Sequence, residues 1–288
     1  MLGMEICRLL VEKGKPLRAL VRTSSDPERI AALKKMGADL AYGDMKDRQS
    51  LDAACQGIDA VISTASSTFS RQDGDSIDSV DRQGQLHVVD AAAAAGVKQF
   101  VLVSFVKDPS MPFPLSEAKQ EVEDRLKQSG MDYTILEANF FMEVWLSPAI
   151  GFDYPNARAR VYGDGDSKVS WVSYKDVAQF AVAAVGNPAA KNTVLPVGGP
   201  KPLSPKEVIQ TFEQAMDKSF EVEYVPTAAL LEQFSAAPDP MSKSFAALML
   251  AYAMGNEMDM EPVLEKFPIK LTTLKEYALN ARAPSAAP

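Results

Sequence analysis

Five short apolar runs in the first half of the chain alternate with stretches of helical patterning, and this alternation limits the fold more than any other feature. The runs are 17–22, Asp39–Tyr42, Ala60–Thr64, Gln99–Phe105 and Tyr133–Glu137; helical patterns cover 3–13, 26–36, 48–55, 79–95 and 115–128. Buried strands joined by helices predict a parallel sheet covered on both faces, an α/β doubly wound architecture. The helix ends are well marked. Gly14, Gly37, Gly96 and Gly130 each follow a helical stretch, where a left-handed residue closes the last turn without a Cβ clash. Asp26-Pro27 supplies a cap followed by proline in the first turn.

Beyond Asn139 the pattern changes. Asn156–Val161, Val169–Val172 and Glu221–Val225 read as short strands, and 177–185 as an apolar helix. Ser204-Pro205-Lys206-Glu207 is a capping box with proline at the first helical position, and 227–262 reads as helical. The expected organisation is a Rossmann-like domain over 1–138, a smaller α+β substrate lobe over 139–280 with chain crossings back to the sheet, and a disordered tail over 281–288.

A net charge of -8 with no basic run argues against nucleic acid as a partner. No stretch is apolar enough to span a bilayer, so no membrane association is expected. Cys7 and Cys55 lack disulfide or metal-ligand spacing, which fits a reducing cytoplasm and no metal.

Candidate ligand contacts fall at the carboxyl ends of successive strands, where open α/β sheets bind ligands. Gly3 opens the first helix and sits where the third glycine of a phosphate-binding turn falls, allowing close helix–strand packing beside a helix N-terminus that attracts pyrophosphate. Arg22 and Thr23 end the second strand of such a fold. An arginine there suits an adenosine 2′-phosphate, which favours NADP(H) over NAD(H). Asp44 ends the next strand and suits the adenine amine, although an Asp turn is equally consistent. Thr64, Ala65 and Ser66 are small residues that let backbone approach a ribose or nicotinamide.

A dinucleotide fold places a buried strand and two more glycines ahead of Gly3, in the centre of the sheet. Their absence leaves an expected strand-wide gap of roughly 10 Å with unpaired edges. Each unpaired group costs about 1–3 kcal/mol, against a total stability of about 5–15 kcal/mol. This reading predicts a truncated frame with the true start on the order of ten or more residues upstream. The alternative is a closed-up sheet in which the flanking strands pair directly. Cofactor affinity is expected to fall steeply in the chain as given.

Leu20-Val21-Arg22, Ala41-Tyr42-Gly43-Asp44, Phe100–Ser104, Ser129–Leu136 with Asn139-Phe140-Phe141, and Val172–Ala178 resemble the NmrA-like, atypical branch of the short-chain dehydrogenase/reductases, which includes isoflavone-reductase-like enzymes. The likeness runs from residue 1 to about 226 and implies a seven-stranded parallel sheet and NAD(P)H. Many relatives use Tyr-x-x-x-Lys; here Lys119 is present but Leu115 replaces the tyrosine. In isoflavone-reductase-like members the lysine itself is the acid/base, which implies that role for Lys119; a solvated helix lysine is the competing reading. Ser104 would line the nicotinamide pocket, and Asn139 and Phe140 the substrate cleft. His87, the only histidine, is read as helix packing.

The function implied is hydride transfer from NADPH to a small conjugated acceptor, a quinone or an enone, held between Lys119, Asn139 and the C-terminal lobe. The rival is a non-catalytic NAD(P)-sensing regulator or assembly factor. A sugar-nucleotide epimerase is disfavoured by the missing tyrosine. Met241, Met249, Met254, Met258 and Met260 suit core filling or a protein partner docking on 241–260.

Overall fold

A computed structural model describes residues 1–68 and 72–282. In chain order these form α1 (Leu2–Glu12), β1 (Arg18–Val21), α2 (Pro27–Lys35), β2 (Asp39–Tyr42), α3 (Arg48–Cys55) and β3 (Ala60–Ser63). A π-helical segment (Ile77–Arg82) runs into α4 (Gln83–Ala94), followed by β4 (Gln99–Phe105), α5 (Pro114–Lys127) and β5 (Asp132–Ala138). The chain continues through α6 (Met142–Trp145), β6 (Phe152–Asp153), β7 (Arg158–Tyr162), α7 (Tyr174–Ala184) and β8 (Thr193–Val197). It ends with α8 (Pro205–Met216), β9 (Glu221–Val225), α9 (Thr227–Ala236), α10 (Pro240–Met254), α11 (Glu261–Lys266) and α12 (Leu274–Arg282).

Two compact units result. The first comprises Met1–Glu137 and Ala178–Leu195, the second Ala138–Val177 and Pro196–Pro288. The first is the α/β unit, and its sheet is split. β1 and β2 run parallel with Val21 opposite Tyr42, while β3, β4, β5 and β8 form a separate four-stranded sheet in that order. Among the described residues β1 does not pair with β3, so the closed-up sheet is not what forms. The core is divided in the same way. Ala19, Val21 and Leu33 pack with Met4 and Cys7 around β1–β2, and Leu51, Val89, Phe100, Leu102, Val122, Leu126 and Ile135 fill a second cluster around β3–β5. All five residues Phe100–Ser104 of β4 are buried, which gives the continuous apolar run of a strand covered on both faces.

The local signals act as their chemistry requires. Gly14, Gly37, Gly96 and Gly130 all take positive φ at helix ends. Asp26 accepts the Glu28 amide at the start of α2, and Ser204 and Glu207 form the reciprocal capping box of α8. β8 has no counterpart in the sequence reading, because Pro196 lacks the N–H of an interior strand; β8 lies at the sheet edge, where that loss is tolerated.

In the second unit β6 pairs antiparallel with β7, and β7 parallel with β9. Val169–Val172 forms isolated bridges rather than the expected strand: Val169 pairs with Leu203 and Asn256, and Val172 with Phe141. The expected helix over 227–262 is three helices. Pro238 and Pro240 interrupt it, with Asp239 capping α10, and Gly255 (φ 79°) closes α10. Met260 is buried and its sulfur accepts the Gly198 amide, whereas Met254 is exposed. α12 continues to Arg282, taking in the first two residues of the expected tail; 283–288 lie outside the described residues.

Candidate active site

The first cluster lies at the carboxyl ends of β1 and β2. Arg22 follows β1, and its Nη1 donates to Asp75 Oδ2 at 2.7 Å and lies 4.0 Å from Asp44 Oδ2. Lys46 Nζ is 2.5 Å from Asp75 Oδ1 and 3.8 Å from Asp44 Oδ2. The Gln72 amide also donates to Asp75 Oδ2, at 2.9 Å. The Asp75 side chain is 1% exposed. Burial pushes its carboxyl up, but the hydrogen bonds from Lys46, Arg22 and the Gln72 amide overcome that and hold it at about 2. Asp44 Oδ1 accepts the Lys46 amide in a local turn. Gly43 is required beside it, since a Cβ there would lie 2.7 Å from Ser50 Oγ and 3.1 Å from Leu20 Cδ1. Thr23 is exposed.

A second group forms where α1 meets the exit of β3. A Cβ on Gly3 would sit 3.4 Å from Thr64 Oγ1, so helix start and strand exit approach closely. The N-cap of α1 is Met1, which makes no side-chain cap hydrogen bond. Gln85 ties the exit down, accepting from Ser63 Oγ (2.7 Å) and donating to the Ala65 carbonyl (2.8 Å). The Ser66 hydroxyl lies 3.1 Å from Thr68 Oγ1.

Lys119 lies in a third group, on α5. Its Nζ is 3.4 Å from Asp81 Oδ1, and the two side chains are 5% and 0% exposed. A solvated lysine is therefore not the arrangement found. Asp81 Oδ2 accepts both the amide and the hydroxyl of Ser67, just beyond β3. Among the described residues Asp81 Oδ1 has no hydrogen-bond partner. A buried carboxylate oxygen with one cation and no donor in hydrogen-bond range is an incomplete constellation. Ser104 points elsewhere: its hydroxyl donates to Glu123 Oε1 at 2.6 Å, in a network where Lys107 bridges Glu123 and Glu137. His87 Nδ1 lies 3.2 Å from the Met45 carbonyl, a packing contact.

In the second unit the Asn139 amide is engaged at both ends: Nδ2 donates to the Asn256 carbonyl and Oδ1 accepts the Phe140 amide. Phe140 packs edge-on against Trp145 and Tyr252. This unit also carries a cavity of about 1080 Å³ lined by Glu143, Tyr154, Lys175, Lys218, Lys270 and Tyr277 among others; Ser173, Tyr174 and Lys175 of its lining belong to the Val172–Ala178 stretch that carries the family resemblance, and none of the lining was a candidate site residue.

The structure thus brings Gly3 to Thr64 and Arg22 to Asp44. It adds Lys46, Ser67, Asp75 and Asp81, which the sequence reading missed. One signal for Asp81 was present: it occupies the i+4 place on the apolar spacing of Ile77, Val80, Gly84 and Val88, where a charge needs a buried partner.

Two cations bracket a buried anion after β1, and the start of α1 adjoins small residues after β3; these are the residues that could hold a dinucleotide. The NmrA-like family model matches residues 1–278. The chain belongs to the NmrA-like family. Among its relatives is the NAD(P)H azoreductase of Xenophilus azovorans, 32% identical over 292 residues that span 99% of this chain and 95% of the relative. The photosystem II assembly factor Ycf39 of Synechocystis sp. is 30% identical over 286 residues, 96% of this chain and 86% of the relative. The solved structure of AtPrR2 with NADP+ and (+)pinoresinol superposes with a TM-score of 0.77 at 25% identity, covering 97% of this chain and 95% of that one. The family includes both reductases and an assembly factor, so membership gives the Rossmann architecture without fixing one reaction.

Proposed function

We propose that this NmrA-like chain is an NADPH-dependent reductase of small conjugated acceptors such as quinones or enones. The observation that carries this reading is the buried Lys119–Asp81 pair beside the exit of β3. A bound nicotinamide dinucleotide supplies the hydride. Arg22 and Lys46 hold its 2′-phosphate, and the start of α1 at Gly3, facing Thr64, takes the pyrophosphate. Thr23, Asp44, Ala65 and Ser66 follow the ends of β1, β2 and β3 and shape the adenosine and nicotinamide walls through backbone and turn geometry, whereas the Ser104 hydroxyl within β4 is taken by Glu123 and has no part in them.

Lys119 donates the proton that completes reduction. Its ammonium is fixed by Asp81, which is held in turn by two donors from Ser67. This oriented, water-poor setting is what general acid catalysis requires in the absence of a tyrosine at position 115. The relative named as an NAD(P)H azoreductase supports reduction of a conjugated double bond. The test is acceptor-dependent NADPH oxidation by the purified chain over a panel of quinones, enones and azo compounds. Lys119→Met should abolish turnover while leaving NADPH binding intact; oxidation unaffected by that change would refute the assignment.

A second reading is a non-catalytic dinucleotide-responsive assembly factor, favoured by Leu115 in place of the tyrosine and by the Ycf39 relative. It predicts different affinities for NADP+ and NADPH, no turnover with any acceptor, and partner binding that changes with the redox state of the nucleotide.

A further inference from the structure

Resting on the cofactor reading above, we propose that Asp75 is a built-in counter-anion seated on Arg22 and Lys46, and that it determines how strongly the site selects a 2′-phosphorylated adenosine. The Asp75 carboxylate collects three donors: the Arg22 guanidinium at 2.7 Å, the Lys46 ammonium at 2.5 Å and the Gln72 amide at 2.9 Å. Two cations and a peptide N–H converging on one anion is the donor set that a phosphomonoester also uses.

Charge balance sharpens the point. Asp44 Oδ2 faces the same two cations, 4.0 Å from Arg22 and 3.8 Å from Lys46. Two positive and two negative side chains leave the seat without net charge while Asp75 is in place. A phosphomonoester brings about -1.5 to -2 at neutral pH and gains attraction only when that carboxylate gives way. Ribose with a free 2′-hydroxyl asks for no cation, and its binding is indifferent to the exchange.

The carboxylate is delivered by a short turn that has its own tether. The Asp75 amide donates to the Gln72 carbonyl, and the Gln72 side chain forms a two-way pair with Ser24, two residues beyond Arg22 (Ser24 Oγ to Gln72 Oε1 at 2.5 Å, Gln72 Nε2 to the Ser24 carbonyl at 3.3 Å). Besides the ion pairs, exchange breaks the neutral Ser24–Gln72 pair, in which Ser24 is exposed and Gln72 half-buried, while the Gln72 amide bond to Asp75 is internal to the turn and travels with it when the turn moves as a unit. Arg22 and Lys46 keep 22% and 32% of their side chains in solvent, so an incoming anion can reach them.

The experiment is calorimetric titration of the full chain at fixed salt with adenosine 2′,5′-bisphosphate and AMP, and with NADP+ and NAD+. Asp75→Asn keeps the side-chain shape and removes the charge. It should tighten the two 2′-phosphorylated ligands by about ten-fold or more, while AMP and NAD+ move by less than about two-fold. Asp75→Ser should act in the same direction, and it serves if the amide variant loses its cooperative melt. Lys46→Ala should weaken the 2′-phosphorylated ligands alone. If Asp75 merely orders the two cations, the variants will bind 2′-phosphorylated ligands less tightly, and that result overturns the proposal. An unmoved NADP+/NAD+ ratio with clear binding of both overturns it and leaves the cofactor reading standing. Absence of binding by the wild type and every variant brings down both.

Discussion

Lys119 and Asp81 form a buried ion pair at 3.4 Å, with the remaining oxygen of Asp81 locked onto the amide and hydroxyl of Ser67. Removing one partner strands the other charge in the core, which costs about 3–5 kcal/mol. Asp81→Ala should therefore destabilise the chain by that order in urea melts, and so should Lys119→Met. The double variant Asp81→Ala with Lys119→Met removes both charges and should be less destabilised than the sum of the singles. Additive losses would show that the two groups do not interact across 3.4 Å. Turnover should be lost in all three variants if the pair works as proposed.

Gly199 abuts Trp171 within the second unit. A Cβ built there would lie 1.8 Å from the Trp171 carbonyl oxygen, and backbone cannot rotate aside as a side chain can. Gly199→Ala should destabilise by at least the upper part of the 1–3 kcal/mol range typical of overpacking. It should also shift tryptophan fluorescence, because Trp171 is buried and its indole N–H is held by the Leu203 carbonyl. A variant with wild-type melting and emission would mean that this close approach is relaxed in solution.

The strand and helix alternation of the first half was legible because it rests on local pattern: β1 to β5 and α1 to α5 lie close to where their apolar runs and caps place them. The charged helix α5 was harder. Its sequence is rich in acids and bases, yet Leu115, Ala118, Lys119, Val122, Glu123 and Leu126 form one buried stripe at helical spacing. Net charge in the run obscured the face that carries it, and the partners of the two buried charges, Asp81 for Lys119 and Lys107 for Glu123, lie 38 and 16 residues away, in the π-helical segment and in the loop after β4. Asp75 was illegible for the same reason, since only the fold brings it to Arg22, 53 residues distant. Val169–Val172 misled because β-branched residues satisfy strand propensity while tertiary partners supply only single bridges.

The capping box of α8 gives a local test of the second unit. Ser204 Oγ accepts the Glu207 amide, and Glu207 Oε2 accepts the Ser204 amide at 2.8 Å. Ser204→Ala removes half of that exchange beneath Pro205 and should cost about 1 kcal/mol. Ser204→Asp should restore most of it by accepting the same amide. Equal melting temperatures for the alanine variant and the wild type would show that the cap contributes nothing measurable.

Asp75 and Glu143 should shape the pH dependence of stability in opposite directions. Asp75 is held at about 2 against an ordinary 3.8, so the unfolded chain binds its proton more readily than the folded one. Its contribution is present above about 3.8 and is lost as pH falls towards 2. Glu143 lies in the second unit, where burial raises its carboxyl above the ordinary 4.5 despite hydrogen bonds from the Ser173 hydroxyl and the Tyr174 amide. There the folded chain holds the proton more tightly, so the contribution is full below 4.5 and declines as pH rises through the elevated value. Thermal melts across the acid to neutral range separate the two. Asp75→Asn should flatten the loss of stability on the acid side, and Glu143→Gln should flatten the decline on the other. If each variant kept the wild-type slope in its own window, neither carboxyl would be coupled to folding as its surroundings require.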